Sequence, residues 1–160
     1  MLTFISIIIL IIYKTNFFIL EVIMAKSAIE IMCSTKGIKL TNQRRVIAKV
    51  LSKAEDHPDA NLVYKRSSKV DSNISMATVY RTMKLFEDAN IVVVRDFGDG
   101  RSRYEIFSNE HHDHLIDIEN GDVIEFVNEE IEKLQDNVAK KLGYELTGHR
   151  LELYGKKIKK

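Results

Sequence analysis

From Ala28 onward, apolar residues recur at helical spacing in four successive stretches, and after Asn90 the pattern changes to the alternation of strands. Ile29, Ile31 and Met32 ahead of Gly37 predict a short helix with a glycine stop. Thr41 caps a second, with Val46, Ile47, Val50 and Leu51 on one side and Gln43, Arg44, Arg45 and Lys49 outward; His57 and Pro58 are expected to end it. Asn61 through Val70 predicts a third. In the fourth, Ser75 is the cap, Val79, Met83 and Phe86 share an apolar side, and Ala77, Tyr80, Arg81 and Lys84 lie opposite. Ile91 to Val94, a turn at Gly98 to Gly100 and Arg101 to Phe107 then form a hairpin carrying Arg95, Arg101 and Arg103. Short helices followed by a basic hairpin are the plan of a winged helix-turn-helix.

The second half predicts a strand over Asp113 to Ile118, a turn at Glu119 to Gly121 and a strand over Asp122 to Phe126. An Asn128-capped helix with an Ile131, Leu134, Val138, Leu142 seam follows, then a strand over Tyr144 to Tyr154. So small a sheet leaves an open edge and an apolar seam, which a second copy of the chain would cover. The expected fold class is therefore α+β: an N-terminal winged helix-turn-helix domain over 24–107 and a small C-terminal α/β dimerisation domain over 108–160. Residues 1–23, MLTFISIIILIIYKTNFFILEVI, are different in kind. Lys14, Thr15 and Asn16 interrupt the apolar run before it reaches the roughly 20 residues of a membrane span. Translation from Met24 is the reading adopted, with 1–23 outside the fold; a membrane anchor is the alternative.

Charge divides the chain at the same place. Residues 24–108 hold 15 Lys or Arg against 10 Asp or Glu, and residues 109–160 hold 8 against 12. A basic first half suits a polyanion and an acidic second half suits cations, although solvated faces give the same imbalance. Cys33 is the only cysteine, so a chain can form neither an internal disulfide nor a cysteine-held zinc cage, and a reducing cytoplasm fits.

Two sets of residues carry candidate chemistry. On the Ser75 helix, Arg81 is suited to guanine O6 and N7, Tyr80 to thymine methyl groups, and Ser75, Thr78 and Lys84 to phosphates; Lys39 and the wing arginines are within reach of an adjacent minor groove or backbone. The same residues also describe the wet side of any amphipathic helix. The five histidines, His57, His111, His112, His114 and His149, lie among carboxylates, a combination that suits Fe²⁺, Mn²⁺ or Zn²⁺ and equally a polar surface patch. On a strand, His112 and His114 project to one side and Asp113 to the other, so the string can serve two sites.

The stretches LTNQRRVIAKVL (Leu40 to Leu51), ISMATVYRTMKLFEDANIV (Ile74 to Val92) and HHDHLIDIENGDVIEF (His111 to Phe126) resemble, in order and spacing, the signature segments of the ferric uptake regulator family. The resemblance runs from about Met24 to Tyr154. It implies a metal-responsive transcriptional repressor acting as a homodimer on a double-stranded DNA operator. The ATVYR helix would lie in the major groove, with Tyr80 and Arg81 on bases and Lys39 in the minor groove. It implies a sensory metal site of His57, Glu105, His114 and Glu125, and a second site of His112, Asp113, Glu132 and His149. Iron is the ion expected, with zinc, manganese or peroxide sensing as alternatives, and Glu125 is more like the iron sensors than the peroxide sensors. Many relatives bind structural zinc through cysteine pairs, but this chain has Asp117 and Asn120 at the first pair and no later cysteine, so that zinc is not expected.

The sequence leaves two other readings open. A metal-dependent hydrolase would use the same histidines, but HExxH, a serine elbow and a phosphate loop are absent, and no enzymatic activity is expected. An architectural DNA binder would keep the winged helix and ignore metal. No membrane partner is expected unless 1–23 is a true anchor.

Overall fold

Each helix among the described residues begins where a short polar side chain satisfies free backbone donors of the first turn. The computed structural model describes residues 26–158 except 99 and 109; the apolar segment 1–23 lies outside the described residues. Helix α1, Ala28–Thr35, has a reciprocal cap, with the Ser27 hydroxyl accepting from the Glu30 N–H and Glu30 accepting from the Ser27 N–H. Thr41 caps α2, Asn42–Ser52, Asp59 caps α3, Ala60–Val70, and Ser75 caps α4, Met76–Asp88. The expectation that α2 continues to His57 is corrected. Leu51 is its last core position, and beyond it come Lys53, Glu55 and Asp56, with little apolar surface to bury in a further turn.

The apolar sides of these helices meet in one core. Ile29, Ile47, Val63, Val79 and Phe86 have no exposed surface, and Ile91 and Val92 extend that core into the hairpin of β1, Val92–Asp96, and β2, Ser102–Ile106. The strands pair antiparallel with Val93 opposite Glu105 and Arg95 opposite Arg103. A bridge between Asp59 and Arg103, with Tyr104 N–H donating to the Pro58 carbonyl at 3.1 Å, ties the His57 loop to β2.

The second sheet has the order β4-β3-β5. Strand β3, Asp113–Asp117, pairs antiparallel with β4, Val123–Phe126, and parallel with β5, Glu152–Gly155, after the crossover helix α5, Glu129–Lys141. The strand expected over Tyr144 to Tyr154 is therefore corrected to a short C-terminal part. β3 offers β5 only the rungs from His114 opposite Glu152 to Asp117 opposite Gly155, so residues 144–150 have no ladder to join. Asn128 caps α5 as expected. Its seam is as read, but no residue of α5 is buried, and Leu134, Val138 and Leu142 are well exposed.

Candidate metal centres and nucleic-acid face

Four residues from both halves of the chain converge at the junction of the two domains. His57 comes from the loop before α3, Glu105 from β2, and His114 and Glu125 from one rung of β3 and β4. The His57 Nε2 lies 3.2 Å from Glu105 Oε2 and 3.1 Å from Glu125 Oε1, and His114 Nε2 lies 3.3 Å from Glu105 Oε2. His57 and His114 are almost fully buried, whereas the Glu125 side chain is half exposed and leaves one side open. His57 has φ 45, a left-handed conformation that costs a non-glycine residue on the order of 1 kcal/mol or more. Burial pushes the Glu105 carboxyl up, but the facing His114 and His57 rings and the Arg95 guanidinium outweigh it and hold the group well below the usual carboxylate range.

The donor set fits a divalent ion. His57 Nε2, His114 Nε2 and Glu105 Oε2 are buried without a hydrogen-bond partner, a costly arrangement for a folded interior unless something accepts their lone pairs. Ligands on a tetrahedral ion at about 2.1 Å stand about 3.4 Å apart, close to the separations found here.

A second group brings together His111, Asp113, Glu132 and His149. His111 Nε2 lies 3.5 Å from Asp113 Oδ1 and 3.2 Å from Glu132 Oε1; His149 Nε2 lies 3.4 Å and 3.5 Å from the same two oxygens. The expectation that His112 joins this group is corrected to His111. The period of two along a strand is the reason: His111 shares a side with Asp113, whereas His112 shares a side with His114. His112 Nε2 stands 3.9 Å from both Glu105 and Glu125, so this imidazole leans toward the first cluster. Alternation alone could have made that assignment.

Phe97, which sequence reasoning passed over, closes the junction. It leaves the end of β1 and is buried with Ile116 and Val123 of the second domain, its ring 5.8 Å from that of His57 and 5.0 Å from that of His114. The only signal for it was a large aromatic in an otherwise polar turn. Arg150, next to His149, donates to the Asp96 carbonyl at 2.9 Å and is a second tie between the domains.

In the first domain, α4 exposes Tyr80 and Arg81 while Val79, Met83 and Phe86 are buried beneath. The Arg81 Nε donates to the Ala77 carbonyl at 3.1 Å, which lays the guanidinium along the helix. Ser75 and Thr78 hydroxyls lie 3.0 Å apart at its N-terminus, and Lys39 is exposed. Lys84 is held within the helix by Asp88 at 2.9 Å and Glu87 at 3.3 Å. The wing arginines have partners within the protein. Arg95 is paired with Glu105, and Arg103 is buried, with Arg103 Nη2 and Arg101 Nη2 lying 3.0 and 3.3 Å from where a Cβ on Gly121 would stand in the turn between β3 and β4.

A winged-helix reader joined through histidine and carboxylate clusters to a second α/β domain defines a metal-responsive DNA-binding regulator. The model of the ferric uptake regulator family matches residues 35–154. The ferric uptake regulation protein of Rhizobium leguminosarum bv. viciae is 57% identical over 132 residues, covering 82% of this chain and 93% of that protein. Among solved structures, a zinc-bound manganese uptake regulator aligns with TM-score 0.78 at 55% identity, covering 82% of this chain and all of the other. The Vibrio cholerae ferric uptake regulator aligns with TM-score 0.67 at 40% identity, covering 78% and 95%. The chain belongs to the ferric uptake regulator family. No helix among the described residues is long and apolar enough to cross a membrane.

Proposed function

We propose that this protein represses transcription as a homodimer whose hold on operator DNA depends on a divalent ion, Fe²⁺ first, at His57, Glu105, His114 and Glu125. The observation that carries the reading is the origin of those four donors: two stand on the DNA-reading half and two on the other half. A bound ion supplies the positive charge that makes it favourable for these donors to stay together. His57 and Glu105 then hold α4 at a set angle to β3, and two copies present their helices at a fixed spacing suited to the half-sites of a palindrome. Besides that restraint, Phe97, the Arg150 contact and the Arg101 and Arg103 side chains beside Gly121 join the domains among the described residues. The Vibrio cholerae structure is described as revealing a rearrangement of the DNA-binding domains, which supports a mobile junction here. His111, Asp113, Glu132 and His149 are proposed as the second site.

Manganese is the second reading, because the manganese uptake regulator is more similar to this chain than is the Vibrio cholerae iron regulator. Histidine with carboxylate does not separate the two ions on chemistry alone. Footprinting on A·T-rich palindromic operators with Fe²⁺ under anaerobic conditions, Mn²⁺, Zn²⁺ and a chelator tests both readings. Protection that persists under chelation overturns the sensor.

DNA recognition is assigned to Tyr80 and Arg81 on bases, Ser75, Thr78 and Lys84 on phosphates and Lys39 in the minor groove. Lys84 must leave Asp88 and Glu87 to reach a phosphate. Arg81→Ala is expected to cost about 1–3 kcal/mol of specific binding while leaving non-specific binding nearly intact, as read by competition with unrelated DNA.

The exposed seam of α5 is assigned to the contact between copies. Val138→Glu would bury an unpaired charge there and is expected to weaken self-association by at least about tenfold in analytical ultracentrifugation. Such a protein should lose operator affinity without losing the metal.

A further inference from the structure

Glu105 uses its two oxygens differently. Oε2 faces His57 and His114 at 3.2 and 3.3 Å and has no hydrogen-bond partner, whereas Oε1 accepts from both Arg95 Nε at 3.1 Å and Arg95 Nη2 at 2.9 Å. The pair is built into the hairpin. Arg95 stands opposite Arg103 in the ladder, and Glu105 is two residues beyond Arg103, so the two side chains share one face as diagonal neighbours. The Glu105 side chain is 7% exposed and that of Arg95 33%, so the guanidinium covers the carboxylate from the solvent side. A free carboxylate rotates and can offer both oxygens to an ion. A guanidinium with two donors on one oxygen opposes that rotation, which an ammonium, with no fixed fork, does less well.

We infer that Arg95 is the positioning residue of the first metal site: it engages Glu105 Oε1 and thereby presents Oε2 alone as a single-oxygen ligand, setting both affinity and coordination number. The inference rests on the proposed assignment of His57, Glu105, His114 and Glu125 as a metal site. It also gives the wing a role other than the DNA contact expected for its arginines. Because Arg95 and Glu105 are on the same hairpin, the orientation of Glu105 is set within the first domain.

Co²⁺ titration of the full chain, followed by its visible absorption, tests this. The band that His57→Ala removes belongs to the first site. In Arg95→Gln that band is expected at roughly 10–100-fold higher Co²⁺ and with lower intensity, as a second carboxylate oxygen enters the coordination sphere. Arg95→Lys keeps the charge without the fork and is expected to recover part of the affinity but not the spectrum. Wild-type affinity and spectrum in Arg95→Gln, or full rescue of both by lysine, overturns the positioning role while leaving the metal site in place. A wild-type protein with no band sensitive to His57→Ala removes the site itself, and the inference with it. A loss confined to DNA affinity, with Co²⁺ binding unchanged, also overturns it and returns Arg95 to the DNA face.

Discussion

His114→Ala is expected to abolish the metal dependence of operator binding. His114 is 5% exposed, its Nε2 points at Glu105 Oε2, and its rung partner on β4 is Glu125, so one substitution removes a donor from the middle of the first cluster. Loss of a partner that merely orients a ligand typically costs 10–100-fold in metal affinity, and loss of the ligand is expected to cost more than that, roughly 100-fold or beyond. The remaining donors would be His57 from one domain with two carboxylates, and the clamp would lose its one buried imidazole on the β3 side. Footprinting across a metal titration reads the effect directly. Alanine also opens a space beside Phe97, whose ring lies 5.0 Å from that of His114. His114→Gln fills most of that space with a poorer ligand, so it should keep the fold and still lose the metal effect. Retention of a normal metal response in both variants would remove His114 from the site.

Phe86→Ala is expected to destabilise the first domain by about 3–5 kcal/mol. Phe86 is fully buried at the end of the α4 stripe begun by Val79 and Met83, in a core shared with Ile29, Ile47, Val63 and Ile91. The cost combines lost apolar burial with the cavity that neighbouring branched side chains cannot close. A domain of this size has about 5–15 kcal/mol in total, so the loss is a large fraction. Urea unfolding followed by circular dichroism should show an earlier midpoint, and metal at saturating concentration should restore only part of it. Because Tyr80 and Arg81 stand on the outer side of the same helix, operator affinity should fall with the folded fraction. A change below 1 kcal/mol would mean that the core repacks around the missing ring.

Both expectations draw on features of different legibility. The buried stripe of α4, the caps at Thr41 and Ser75, the hairpin and the order of elements were readable because each depends on residues a few positions apart. The family resemblance extended this to the first metal cluster, all four members of which converge. It misassigned His112, although strand alternation in the HHDH string already paired His111 with Asp113. The partner of Arg95 was illegible for another reason. An arginine on a wing is equally suited to phosphate and to a carboxylate two rungs away, and only the fold shows that a buried Glu105 stands beside it.

The sequence by itself determined where the helices lie, the caps at Thr41, Ser75 and Asn128, the wing, and the exposed Tyr80 and Arg81, because periodicity, local hydrogen bonding and residue chemistry act over short distances along the chain. The tertiary structure alone decided that Phe97 seals the junction between the domains, that Arg150 reaches the Asp96 carbonyl, that Arg95 holds Glu105, and that β5 is as short as β3 permits. Those outcomes depend on how two domains meet. Contacts between residues as far apart as Asp96 and Arg150, 54 positions, are set by packing and burial, which leave no period in the chain.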